Sequence, residues 1–115
     1  MKKLFIFLLP TIFLTSCESR TYEEISDQTP LNATITYVND VKPIIDTNCV
    51  TCHAPGGSAS YQILTNYNEV KMQIDEIINR IEKPIGDPLK MPQGSALPKQ
   101  QIEIIKKWKA DGLLQ

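Results

Sequence analysis

One histidine, one tryptophan, three cysteines and three methionines are all that this 115-residue chain holds of the residues that most often do chemistry or bind metals. A lone histidine excludes two-imidazole metal ligation within one subunit and any acid–base mechanism needing a histidine pair. The longest apolar run, Leu4 to Leu14, is about eleven residues and is interrupted by Pro10 and Thr11, whereas a membrane-spanning helix needs roughly twenty. Charge of one sign is missing too: the net value is −1, with acidic and basic side chains scattered along the chain, so no electrostatic footprint for nucleic acid or an acidic membrane surface is present. A length of 115 residues with 42% hydrophobic composition suits one modest domain and leaves no room for a second useful core. No convincing strand pair or internal repeat is found.

What is present begins with an export signal at residues 1–16. Lys2 and Lys3 form a basic start and the short apolar run follows. The segment ends in Leu14-Thr15-Ser16-Cys17, which resembles the bacterial lipobox. That resemblance implies cleavage before Cys17 and acylation of its thiol, so that lipid chains hold the protein at a bilayer without spanning it. The competing reading is an ordinary signal peptide cut nearby, leaving Cys17 free or disulfide-bonded. Loss of Lys2 and Lys3 leaves ten basic and thirteen acidic side chains, a mildly acidic mature chain of formal charge −3. Residues 17–36, rich in Ser, Thr, Asp, Glu and Asn, read as the lipidated N-terminus and a tether, whose span would be roughly 25 Å. Ala33 to Val38 has some strand propensity and could instead pack on the domain.

The domain, 37–115, reads as all-α, with three helical segments. The first covers about Asp40 to Asn48, with Asp40 as N-cap, Pro43 in the first turn, and Val41, Ile44 and Ile45 on one face. The second spans Tyr67 to about Glu82. Asn66 caps it, Glu69 closes a capping box, and Val70, Ile74, Ile77, Ile78 and Ile81 follow helical spacing. Pro84 stops it. The third begins near Lys99, carries Ile102, Ile105 and Trp108 on one stripe, and ends at Gly112.

Directly after the first helix stands Cys49-Val50-Thr51-Cys52-His53, a C-x-x-C-H sequence that reads as a site of covalent haem c attachment. Two thiols three positions apart at a helix end can add across the two vinyl groups at one edge of the macrocycle, and the adjacent His53 then lies beneath the iron as proximal ligand. A hydrogen bond from its other ring nitrogen must fix the imidazole; the Pro55-Gly56-Gly57 turn is the expected place. A structural disulfide would leave the histidine unexplained. A thioredoxin-like pair would open a helix, not close one, and zinc would need a fourth strong ligand that the domain lacks. Export and the motif agree, because haem c is attached outside the cytoplasm. Met91, in the loop Lys90-Met91-Pro92-Gln93-Gly94, is the candidate distal ligand, since Met1 goes with the signal and Met72 lies within the second helix.

This order of parts resembles the class I (monohaem) cytochrome c domain over about residues 37 to 115: an apolar helix ending in CxxCH, a middle helix, a Met-Pro loop, and the closing Ile105-Lys106-Lys107-Trp108-Lys109-Ala110-Asp111-Gly112. The resemblance implies a small cytochrome c-like fold of about three helices wrapped around one covalent haem, with the last helix packed across the first, so that Trp108 and Ile105 meet Val41 and Ile44 or Ile45. Pro98 departs from the Ser or Thr that often starts such a helix, and the chain between His53 and Met91 is short.

With both axial positions filled, the expected function is one-electron transfer in an extracytoplasmic chain, with no enzymatic activity, between a redox-protein donor and acceptor that the sequence does not identify. The expected state is a monomer, or a subunit of a respiratory assembly, lipid-anchored to a bacterial membrane. Arg80 is a candidate partner for a haem propionate, and Asp75, Glu76 and Glu82 are expected on a solvated face. One alternative is a haem-based sensor or small-molecule binder with an open or labile sixth site. Another is a small subunit of a larger redox complex, docked through an apolar face that includes Leu113 and Leu114.

Overall fold

A computed structural model describes residues 33–115; the expected export signal, Cys17 and the expected tether up to residue 32 lie outside the described residues. Among the described residues all regular structure is helical and no strand occurs. No helix there is long and apolar enough to cross a membrane.

The chain enters the fold at Ile35, which is buried and donates its N–H to the Asp111 carboxylate at 3.0 Å. Of the two readings of Ala33–Val38, packing on the domain is therefore the one that Ile35 and Tyr37 follow, without forming a strand. A π-helical turn, Tyr37–Val41, runs directly into α1, Lys42–Asn48. Helical structure thus starts three residues ahead of the expected Asp40, and Asp40 is not the N-cap. Its carboxylate instead reaches back to accept from the Thr36 N–H (2.8 Å) and hydroxyl (3.3 Å), satisfying the donors that open the wide first turn. Tyr37, Val41, Ile44 and Ile45 all face inward, the i, i+4, i+7, i+8 spacing of a buried stripe.

The middle segment differs from the single helix expected over Tyr67–Glu82. It is two helices, α2 (Tyr67–Met72) and α3 (Ile74–Ile81), broken at Gln73, whose φ of −107° and ψ of 9° leave the helical region. The Gln73 side chain donates to the carbonyls of Ile63 (3.0 Å) and Glu69 (3.3 Å), exchanging one residue of regular helix for a tie to the preceding loop. The break is one residue deep, so Val70, Ile74, Ile77 and Ile81 stay on one buried side. The capping box forms as expected: the Glu69 N–H donates to Asn66 Oδ1 (3.1 Å), and the Glu69 carboxylate accepts from the N–H groups of Thr65 (2.7 Å) and Asn66 (3.2 Å). Partial desolvation raises the Glu69 pKa, but these donors and the Thr65 hydroxyl outweigh it and hold the carboxylate below its ordinary range.

The last helix, α4 (Lys99–Ala110), starts after Pro98, which offers no side-chain cap, and buries Ile105 and Trp108. Gly112, at a φ of +94°, turns the chain out of it, and the Leu113 N–H returns to the Trp108 carbonyl at 2.9 Å. Leu113 is packed against the core, not exposed as a docking face would require; Leu114 remains partly exposed.

One core cluster joins Ile35, Tyr37, Val41, Ile44 and Ile45 to the stripe of α2 and α3 and to Ile105 and Trp108 of α4. At its centre three rings meet: Tyr37–Tyr67 at 5.5 Å, Tyr37–Trp108 at 5.7 Å and Tyr67–Trp108 at 6.1 Å between centroids. The C-terminal backbone closes over them, since the Leu114 carbonyl accepts from Tyr37 N–H (2.8 Å) and Trp108 Nε1 (2.6 Å) while Tyr67 Oη donates to the Leu113 carbonyl (2.7 Å). The Tyr37 hydroxyl is buried with no hydrogen-bond partner among the described residues.

Candidate cofactor site

The site grows from the end of α1. The N–H groups of Cys49 and Val50 both return to the Ile45 carbonyl, and the Cys49 carbonyl then accepts from Cys52 (3.1 Å) and His53 (2.9 Å). The CxxCH segment is thereby wound into tight turns continuous with the helix. Val50 packs against the core while Cys52 is exposed. Cys49 and Cys52 are both free thiols. Burial, with a smaller contribution from the neighbouring Cys52, pushes the Cys49 thiol up to about 11, the opposite of the depressed value that marks a redox-active or nucleophilic cysteine.

The loop from 54 to 66 doubles back on the motif. The Ala59 N–H reaches the Cys52 carbonyl at 2.9 Å and the Leu64 N–H reaches the His53 carbonyl at 2.8 Å. Gly57 permits this approach: a Cβ there would lie 2.3 Å from the Cys52 oxygen. His53 Nδ1 meets the Gln62 carbonyl at 2.8 Å. A carbonyl can only accept, so Nδ1 is the nitrogen that carries the proton here, and in the neutral ring this tautomer leaves the lone pair on Nε2. The orienting carbonyl therefore comes from Gln62 and not from the Pro55-Gly56-Gly57 turn, whose part is to let the loop fold back.

Cys49, Cys52 and His53 share a cavity of about 490 Å³ with Met91 and Arg80, within the roughly 300–1,000 Å³ of sites that enclose an organic ligand. Its apolar walls come from Ala59, Leu64, Ile77 and Ile81. Met91 sits on the loop after α3, held by its N–H to the Arg80 carbonyl at 3.1 Å; its bond to Pro92 is cis. Met72 ends α2 fully on the surface and does not reach the cavity.

Two charged side chains of α3 border the cavity. Glu76, expected on the solvated face with Asp75 and Glu82, is solvent-exposed there and also borders the cavity. Arg80 also lines it, with Nε hydrogen-bonded to Glu76 and Nη1 donating to the Leu89 carbonyl at 3.4 Å. Hydrogen bonds from Arg80 and Asn79 hold the Glu76 carboxyl below its usual range. Asp75 and Glu82 face outward and pair with Lys109 (2.6 Å) and Lys106 (2.9 Å) of α4.

Among the described residues no group of three or more His, Cys, Asp or Glu side chains converges to hold a metal ion. An iron at this cavity would depend on His53, on the Met91 thioether and on donors supplied by a cofactor. No family model, no curated protein and no solved structure matches the chain. A functional reading therefore rests on the residues of the chain itself.

Proposed function

We propose that this chain is a one-electron carrier, a cytochrome c-like domain holding one haem c through Cys49 and Cys52, with His53 and Met91 as the axial ligands. One observation carries the reading: a single apolar-walled cavity brings together the two free thiols, the thioether, and an imidazole whose Nδ1 is already fixed by the Gln62 carbonyl. The residues present fit such a group. The cavity offers two thiols for thioether attachment, one imidazole nitrogen as donor, and Ile77, Ile81 and Leu64 against which a flat apolar ring would pack.

When bound, haem c supplies a reversible one-electron couple, and His/Met ligation raises its potential relative to histidine alone. Gln62 fixes the tautomer and rotation of His53 and increases the electron density at Nε2. The hydrogen bond from Met91 to α3 holds the thioether loop at the cavity. Arg80 is bonded to Glu76 through Nε and to the Leu89 carbonyl through Nη1, which leaves the Nη2 end of the guanidinium as the donor for a propionate. No second histidine is available as acid or base.

Export and a lipid anchor at Cys17 complete the proposal from the sequence, placing the domain outside the cytoplasm, where haem c is attached and redox proteins could serve as donor and acceptor. The deciding experiment is the visible absorption spectrum, oxidised and reduced, of the chain made with a haem c maturation system. Sharp low-spin reduced bands and a weak far-red ferric band that disappears in Met91→Ala support the carrier. A high-spin spectrum with rapid carbon monoxide uptake moves the reading to a sensor, for which the polar Glu76–Arg80 pair in the cavity would be the ligand-facing group. Absence of haem refutes both.

A further inference from the structure

Lys90 is the buried charged side chain of the described core, 8% exposed. Its Nζ donates to the carbonyls of Ile81 (2.9 Å) and Lys83 (2.7 Å), where α3 runs out of helical partners. The next residue is Met91, whose N–H is bonded to the Arg80 carbonyl. Two consecutive residues of the loop thus grip the same helix end, one by main chain and one by a charge. The rest of the loop is built to deliver them: the Lys90 N–H closes a turn on the Asp87 carbonyl at 3.0 Å, the Leu89 N–H donates to the Asp87 carboxylate at 2.8 Å, and Arg80 holds the Leu89 carbonyl from the other side.

A buried ammonium needs acceptors, and a helix C-terminus provides both open carbonyls and the negative end of the helix dipole. The side chain is long enough to bridge the two carbonyls while its backbone stays in the loop. A neutral chain of similar size would fill the space and leave Ile81 and Lys83 carbonyls unpaired.

We infer that Lys90 is a positioning residue for Met91: its ammonium, bonded to the Ile81 and Lys83 carbonyls, clamps the methionine loop to the end of α3 and so sets where the thioether stands in the cavity. The inference rests on the reading of Met91 as an iron ligand. The clamp itself does not, and the two are separable by experiment.

The test uses the full chain from a haem c-maturing host and compares wild type with Lys90→Met, a neutral side chain of similar length. Two quantities are read: hydrogen exchange at the Met91 amide, which reports the clamp without reference to the iron, and the far-red ferric band with carbon monoxide uptake, which reports the thioether. Exchange at Met91 is expected to accelerate by about tenfold or more, while the amides of α1 keep their protection, the band weakens and the reduced protein takes up carbon monoxide. If Lys90→Met melts earlier but keeps both the Met91 protection and the band, the lysine is merely a helix cap and the inference is overturned. Should Lys90→Met fail to fold, Lys90→Gln, which can reach one carbonyl but not both, is expected to change the same quantities by a smaller factor; unchanged values overturn the inference equally. A haem-loaded wild type with no far-red band sinks Met91 as a ligand, and the exchange comparison still decides the clamp.

Discussion

Replacing Gly57 by alanine tests whether the loop that folds back on CxxCH is held as tightly as it is drawn. The new methyl carbon would lie 2.3 Å from the Cys52 oxygen, 2.8 Å from the Cys52 carbonyl carbon and 3.2 Å from the Ala54 oxygen. Ordinary carbon contacts lie at roughly 3.5–4.0 Å, so the two backbones must part by about 1 Å, and neither side of the contact is a flexible side-chain tip. That movement breaks the bond from the Ala59 N–H to the Cys52 carbonyl, worth about 0.5–1.5 kcal/mol. Strain in the repacked loop adds roughly 1–3 kcal/mol. A combined loss of about 2–4 kcal/mol corresponds in a domain of this size to a fall in melting temperature of roughly 10 to 25 °C. On the proposed attachment of haem at Cys52, the ratio of haem to protein should fall as well. Far-ultraviolet circular dichroism during heating, paired with haem absorbance per chain, measures both. Gly56→Asn is the comparison: a Cβ there meets nothing within 4 Å, and at its φ of +84° asparagine is among the less strained replacements, so it should cost less than Gly57→Ala. Gly57→Ala melting together with wild type and carrying full haem would refute the packing argument.

If Cys49 and Cys52 hold a haem as proposed, Cys49→Ala with Cys52→Ala should leave a chain without cooperative melting, since a domain this small would lose the apolar plate on which its cavity walls pack; native-like melting of that variant contradicts the reading. Tyr37→Phe deletes a buried hydroxyl with no described partner, so it should stabilise the fold by up to about 1 kcal/mol, and a comparable loss in urea unfolding would reveal a hidden acceptor. Asn66→Ala should cost about 1 kcal/mol by removing the cap of α2, read in the same assay. Glu69, Glu76 and Asp111 all have lowered pKa values, Asp111 through Lys107 and the Ile35 N–H. Each contributes stability that is full above its unfolded value, near pH 4, and is lost as pH falls through the folded one. Melting temperature should thus hold from about pH 5 to 7 and drop below about pH 4, and Asp111→Asn should lower the plateau and flatten the drop.

The local rules of the fold could be read from the sequence because they are local. Asn66 and Glu69 are three residues apart, Gly112 follows its helix directly, and Ile105 and Trp108 share one face whatever lies opposite. Gln73 is different, since its side chain breaks the helix by bonding the carbonyl of Ile63, a partner fixed only once the loop has folded. The same holds for Asp40, which caps nothing of its own and closes the turn begun at Thr36. At the site, the CxxCH residues and Met91 stand out by type and spacing. The Gln62 carbonyl has no signature, as every residue carries one, and the turn at Pro55-Gly56-Gly57 drew attention for conformational reasons that served a different contact. Lys90 gave no signal either: a lysine in a Pro-bounded loop is ordinarily solvated, and only the open end of α3 explains its burial.

Where the chain enters and leaves the fold, Ile35 and Tyr37 are bonded to Asp111 and Leu114. The domain is accordingly close to a ring whose two loose ends lie side by side. Joined there by a few residues and opened at the exposed Ser95–Ala96 link, the same helices could be strung in a new order, with the new termini beside the Met91 loop and every contact of the aromatic centre retained. Anything appended after Gln115, by contrast, begins beside the segment that enters the fold at Ile35.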